Sequence, residues 1–172
     1  MKKPELIIFT GNIGCGKSTL ATELAKKGYV IINGDLITSM VQGGDYGKYD
    51  PEKKPIYHAI ERAGIVTALL HRFSVVVDRT NMKASDRARY IKMGVAYNTT
   101  VVSYCWGSGH PEWLKRRLND PKGIPEEKWI EVYEYMAGSF ERPSLEEGFG
   151  LIRFFDINGM IIDEKTADEK NS

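Results

Sequence analysis

Unbroken apolar runs alternate with stretches of helical periodicity along this chain. Leu6-Ile7-Ile8-Phe9 is a short run of strand formers ended by glycines, the pattern of a strand buried on both faces. Lys17 to Lys27 reads as a helix, with Leu20 and Leu24 on its inner face and Gly28 at its stop. Val30-Ile31-Ile32 is a second buried run, closing on Asn33-Gly34-Asp35, and a glycine-rich loop is expected from Gln42 through Tyr49. Apolar residues from Ile56 to Leu70 recur at helical spacing and predict a long helix from about Pro55 to His71.

Ser74-Val75-Val76-Val77-Asp78 is a third buried strand with an acid at its carboxyl end. Ala84, Ala88, Ile91 and Val95 stripe the next helix, and Thr99 to Tyr104 is a fourth strand. Pro111-Glu112 and Pro125-Glu126-Glu127 each open a helix, with proline in the first turn and acids at the positive dipole end. Leu151 to Phe155 is a fifth strand. Strands alternating with helices in this way predict an α/β fold, a mainly parallel sheet with helices on both faces. Residues 1–162 read as a single domain without internal repeats, and 163–172 as a polar tail expected to fray.

Composition changes this picture little. A chain of 172 residues, 42% apolar, has enough surface to bury for one ordinary core. The formal net charge of +1 carries no overall basic field, which argues against wrapping a long duplex but leaves room for gripping one strand end. Cys15 and Cys105 form no disulfide framework or zinc spacing. No apolar stretch has the length of a signal-peptide core or a membrane span, so the expected setting is the cytoplasm and no membrane partner is expected.

The first strand runs into Gly11-Asn12-Ile13-Gly14-Cys15-Gly16-Lys17-Ser18, a complete G-x-x-x-x-G-K-S followed by Thr19 and a helix. Glycines let such a loop curl until several N–H groups face one anion, and the helix adds its positive end. Lys17 reaches the outer phosphates of ATP, and the Ser18 hydroxyl ligates Mg2+. A bare glycine turn would not need this strand–loop–helix context. The expected class is therefore the three-layer P-loop NTPase fold, with residues 11–19 forming the nucleotide site. Cys15 admits a redox role, but a small loop filler is the plainer reading.

In open parallel sheets, ligands sit beyond the carboxyl ends of the strands. Asp35 follows the second strand, one strand over from the P-loop, where a carboxylate can take the proton of an acceptor hydroxyl. Its alternative is a helix N-cap before Leu36 to Met40. Asp78 closes the third strand as a metal-holding acid does, and would bind Mg2+ directly or through water. Its alternative is a turn or cap residue ahead of Ala84.

Asn33-Gly34-Asp35, Asp78-Arg79-Thr80-Asn81 and the segment Phe140 to Phe149, with its P-x-x-x-E-G-F, together resemble the 5′-hydroxyl polynucleotide kinase domains of phage and animal end-repair enzymes. The resemblance runs from the first strand to about Ile157. It implies transfer of the γ-phosphate of ATP to the 5′-hydroxyl end of DNA or RNA, with Asp35 as general base and Asp78 as the acid of the D-x-T-N pattern. It also implies a helical lid at Trp113-Leu114-Lys115-Arg116-Arg117, from which either Arg116 or Arg117 reaches the phosphates. A solvated helix face is the alternative for that basic run.

The acceptor side departs from the family. Gly34 stands where many members carry arginine, and Thr38 where the phage enzyme has an arginine on an acceptor phosphate. Lys53, Lys54 and Arg79 are the candidates for compensating charge. Tyr46, Tyr49, Tyr57 and Trp106 lie near the expected mouth, but aromatics at such spacings are more often core or loop filler. Two further readings stand beside the polynucleotide one: a P-loop kinase of a small hydroxyl compound (nucleoside, sugar or antibiotic), and a nucleotide-binding switch without phosphotransfer. DNA against RNA, the strictness for ATP and the oligomeric state are not encoded in any motif.

Overall fold

The computed structural model describes residues 3–45 and 48–167. In chain order they form β1 (Glu5–Gly11), α1 (Lys17–Lys26), β2 (Val30–Asn33), α2 (Gly34–Val41), α3 (Lys54–Leu70), β3 (Val75–Asp78), α4 (Ala84–Ala96), β4 (Thr100–Gly107), α5 (Pro111–Asn119), α6 (Glu126–Gly138), β5 (Leu151–Phe155) and β6 (Ile161–Thr166). One six-stranded sheet has the order β2-β3-β1-β4-β5-β6. Every pairing is parallel except β5 with β6. The central strand β1 shows why its sequence is apolar without alternation: Leu6 and Ile8 enter one core with Ile65, Leu69 and Tyr90, while Ile7 and Phe9 enter the other with Ala21, Leu24 and Trp113. Helices thus cover both faces, as expected of a P-loop NTPase-like α/β fold. Among the described residues no helix is long and apolar enough to cross a membrane.

Three expectations need correction. Val30-Ile31-Ile32 is only half-buried, because β2 is the sheet's edge and has a neighbour on one side alone. The buried face of α4 is Arg87, Tyr90, Ile91 and Gly94, not the stripe through Ala84, Ala88 and Val95; Val95 is exposed. Periodicity of apolar residues missed that face because its largest member is a charged arginine. Gly94 belongs to it because a Cβ there would stand 2.4 Å from a Val101 methyl. Finally, residues 163–166 of the expected tail continue as β6, an exposed antiparallel edge held by Arg153 on Glu164 at 2.6 Å. Residues 168–172 of that tail lie outside the described residues, as do 46 and 47 of the glycine-rich loop, including Tyr46.

One buried ion pair positions the functional end of the sheet. The Arg87 side chain is wholly inaccessible to solvent. Its Nε and Nη2 donate to the two carboxylate oxygens of Glu147, each at 2.8 Å. Its Nη1 donates to Asn81 O at 3.0 Å and Met82 O at 3.2 Å. Glu147 belongs to the P-x-x-x-E-G-F segment and Asn81 to the D-x-T-N turn, so one guanidinium joins the two signatures. Asn81 takes a left-handed φ of 42° and donates through Nδ2 to Phe9 O at 2.8 Å. The turn is thereby fixed to β1 just before the P-loop, and Gly11 N–H donates back to Thr80 O at 3.0 Å. Unpairing a buried guanidinium is expensive, so Glu147→Gln is expected to cost about 3–5 kcal/mol of stability in urea denaturation. A loss below about 1 kcal/mol, the scale of an exposed pair, would contradict this role.

Candidate active site

The P-loop turns on two left-handed glycines, Gly14 at φ 74° and Gly16 at φ 102°. Gly14 is also a contact: a Cβ there would fall 2.0 Å from Trp113 O, so the loop lies directly on the backbone of α5. Asn12, fully buried, clasps the loop from behind. Its Nδ2 donates to Ser108 O at 2.7 Å and Tyr133 O at 2.9 Å, reaching the approach to α5 and the body of α6. Its Oδ1 accepts the Ile13 N–H. The Gly11 and Ile13 amides are thus engaged within the fold, whereas an α-helix leaves its first-turn amides, here those at the start of α1, without intrahelical partners. Lys17 Nζ donates to Gly11 O at 2.8 Å and Asn12 O at 2.7 Å, with Cys15 Sγ at 3.4 Å. Cys15 is buried and fills the loop's interior, in keeping with the plainer of its two readings.

Asp78 sits at the carboxyl end of β3, 5% exposed. Its Oδ2 accepts from Ser18 Oγ at 3.0 Å and from Asn33 Nδ2 at 2.7 Å. Burial raises its pKa above the usual carboxylate value, against the opposing pull of Lys17 and these two hydrogen bonds. Asp78 is not a cap for α4, whose Ala84 N–H goes instead to Glu141 Oε2 at 2.8 Å. Nor is Asp35 the N-cap of α2. Asn33 takes that role, accepting from Leu36 N at 2.9 Å, and Asp35 lies exposed in the first turn. Asn33 was missed in the sequence, although it has the same signal as Asp35 and Asp78: a polar residue ending an apolar strand at the ligand edge of the sheet.

A cleft of about 890 Å³ gathers these groups. Lys17, Ser18 and Thr19 line one side, Asp35, Asp78 and Arg79 another, and Arg116 and Arg117 reach it from α5. The two arginines of α5 differ. Arg116 gives both Nη groups to Ile157 O, each at 3.2 Å. Arg117 lies over the Trp129 ring, 4.7 Å from its centroid. The aromatic candidates fall elsewhere: Trp106 and Tyr57 are buried, and Tyr49 packs on Tyr57 at 5.7 Å. Lys53 is spent on Gln42 Oε1 and Asp50.

The AAA domain family model matches residues 6–143. Among solved structures, a chain of the Pnkp1/Rnl/Hen1 RNA repair complex aligns at TM-score 0.62 and 22% identity, over 82% of this chain and 47% of that one. The PezAT toxin–antitoxin system of Streptococcus pneumoniae aligns at TM-score 0.67 and 16% identity, over 99% and 76%. A gluconokinase from Sinorhizobium meliloti 1021 aligns at TM-score 0.58 and 20% identity, over 91% and 85%. Such identities establish a common fold. The chain spans less than half the length of the two RNA repair chains it matches. No curated protein matches it. With a family model covering most of its length and a G-x-x-x-x-G-K-S loop at the ligand edge of a parallel sheet, this chain belongs to the AAA domain family.

Proposed function

We propose that the chain transfers the γ-phosphate of ATP to the 5′-hydroxyl end of DNA or RNA. The observation that carries this reading is the Arg87 junction, which makes the D-x-T-N turn and the P-x-x-x-E-G-F segment one hydrogen-bonded unit beside the P-loop. Those two signatures are the specific part of the resemblance to polynucleotide kinases, and here they share a physical purpose. The likeness to a chain of an RNA repair complex agrees with it.

In this reading the amides of residues 14–19 and the Lys17 ammonium hold the β- and γ-phosphates. Asp35 stands across the cleft from them, exposed to an incoming acceptor. Its carboxylate takes the proton as the hydroxyl oxygen bonds to the γ-phosphorus, the bond to the β-phosphate oxygen breaks, and ADP leaves with that electron pair. Arg117 is our choice for the lid arginine: Arg116 commits both Nη groups to Ile157 O at 3.2 Å, whereas Arg117 rests on Trp129 and gives only Nη1 to Asp120 O, at 3.4 Å. Ser18 and Asp78 would hold Mg2+, and their hydroxyl and carboxylate oxygens, 3.0 Å apart, fit a hard cation that takes its other ligands from phosphates and water. When bound, that ion offsets charge on the phosphates.

A second reading, a kinase of a small hydroxyl compound, is favoured by the absence of arginine at Gly34 and Thr38 and by the likeness to a gluconokinase. The two separate when γ-labelled ATP and Mg2+ are offered with 5′-hydroxyl DNA and RNA oligonucleotides beside free nucleosides and gluconate. Label is expected on the oligonucleotide 5′ end, and Asp35→Asn should lower turnover by about a hundredfold or more while still binding nucleotide. Label on the small compounds alone would establish the second reading.

Asp78 offers a check on the metal assignment with a definite sign. A carboxyl whose pKa is raised on folding costs stability above its unfolded value, where the unfolded group is ionised, and nothing below it, where both forms are protonated. Without nucleotide or Mg2+, Asp78→Asn is therefore expected to raise the melting temperature at about pH 7, leave it unchanged near about pH 3, and abolish transfer. A lowered melting temperature at neutral pH, with transfer intact, would reject the assignment.

A further inference from the structure

Of the three cations offered for the acceptor side, Lys53, Lys54 and Arg79, it is Arg79 that lines the cleft. It follows Asp78 at the end of β3 and lines the cleft with Asp35. Its guanidinium lies flat against Gly34: a Cβ on that glycine would stand 3.0 Å from both Cζ and Nε, and 3.1 Å from Nη1. Gly34 has no positive φ, so the conformational freedom of glycine does not explain it there. Room for the guanidinium does. The residue that the sequence offered as a departure from the family is the floor on which another arginine rests.

Behind it stands Glu61, an acid of α3 with only 3% of its side chain exposed. Glu61 Oε1 accepts from Arg79 Nη1 at 3.0 Å, and Glu61 Oε2 pairs with Arg89 Nη2 at 3.2 Å. Two cations thus share one buried anion. A carboxylate needed only to neutralise Arg79 would not require the second. Burial works against the charge of Arg79, but Glu61, Tyr90 and Asp35 outweigh it and raise its pKa, so the guanidinium stays charged. About one third of the side chain remains exposed, toward the cleft.

From this the geometry points to Arg79 as the reader of a phosphate on the acceptor, held in place by Glu61 and by the bare backbone of Gly34. The inference rests on the polynucleotide reading and deepens it. A planar guanidinium fork matches two phosphate oxygens better than it matches a neutral hydroxyl compound. Because Gly34 immediately precedes Asp35, the anion lies next to the hydroxyl that Asp35 would deprotonate. In a polynucleotide 5′ end, the phosphate nearest that hydroxyl is the 3′ phosphodiester of the same nucleotide. Arg79 touches substrate in this account, and Glu61 is a positioning residue.

The test compares adenosine 3′-monophosphate with adenosine by calorimetry, with ADP saturating the P-loop so that neither occupies the donor site. The protein is expected to bind the phosphate-bearing compound more tightly, and Arg79→Ala to remove about tenfold to a hundredfold of that affinity, the weight of a charged hydrogen bond. Arg89 also pairs with Glu61, so that variant is expected to leave the buried acid a partner and to keep the fold. Glu61→Gln should remove part of the preference and Arg79→Lys keep part of it, a graded order that a purely structural Arg79 would not show. Equal binding of the two compounds, or the same preference in Arg79→Ala, overturns the inference. Labelling of a 5′-hydroxyl oligonucleotide by the same preparations reports separately on the reaction. Labelling without phosphate preference removes the anion site alone; phosphate preference lost with Arg79, but without labelling, supports the anion site and removes the reaction.

Discussion

The buried pair of Arg87 and Glu147 is the constraint on which the functional end of this molecule depends. A guanidinium with no solvent access cannot stay charged and unpaired, so its partners are dictated rather than preferred. It takes a carboxylate from the segment after α6 and two carbonyls from the turn after β3. Glu141 adds a second stitch between the same segments, its amide donating to Met82 O and its carboxylate accepting from Ala84 N. The turn so held carries Asp78 and Arg79 at its start and Asn81 against β1. Acids and cations that belong to different parts of the chain are thereby presented to the P-loop at fixed separation.

A second clasp works from the other side. Asn12 and Gly14 tie the phosphate loop to α5 and α6, so the helices bearing Arg117 and Trp129 are registered to the loop rather than merely near it. The cleft is therefore framed by two hydrogen-bonded supports, one for the P-loop and α5 and one for the turn that carries Asp78 and Arg79. This division suits the phosphotransfer we propose, in which most of catalysis is positioning and charge stabilisation rather than covalent chemistry.

Much of this was legible in the sequence where one residue type answers to one physical demand. The apolar runs of β1 and β3 could only be buried strands, and the loop from Gly11 to Ser18 announced itself through glycines and a lysine. Asp35 and Asp78 were singled out by their places at strand ends, and both line the cleft. What was not legible depends on distant partners. Arg87 looks like a surface residue until Glu147 is beside it, which is why the face of α4 was misread. The cap of α2 is settled by Asn33, whose other hand is on Asp78. Gly34 looked like a lost arginine because its meaning lies with Arg79, 45 positions away in sequence. The strand β6 has almost no burial to mark it, only pairing to β5.

The central claim is that Arg87 and Glu147 hold the turn after β3, and through it the acceptor side of the cleft, in place. Amide hydrogen exchange on Glu147→Gln addresses this directly, because protection is read segment by segment. The account predicts a larger loss of protection at Gly11, Met82 and Glu141, whose environments depend on the turn, than at the amides between β4 and β5, which lose only what the lowered global stability removes. Unchanged exchange at Gly11 and Glu141, or a uniform loss across the whole sheet, would contradict it.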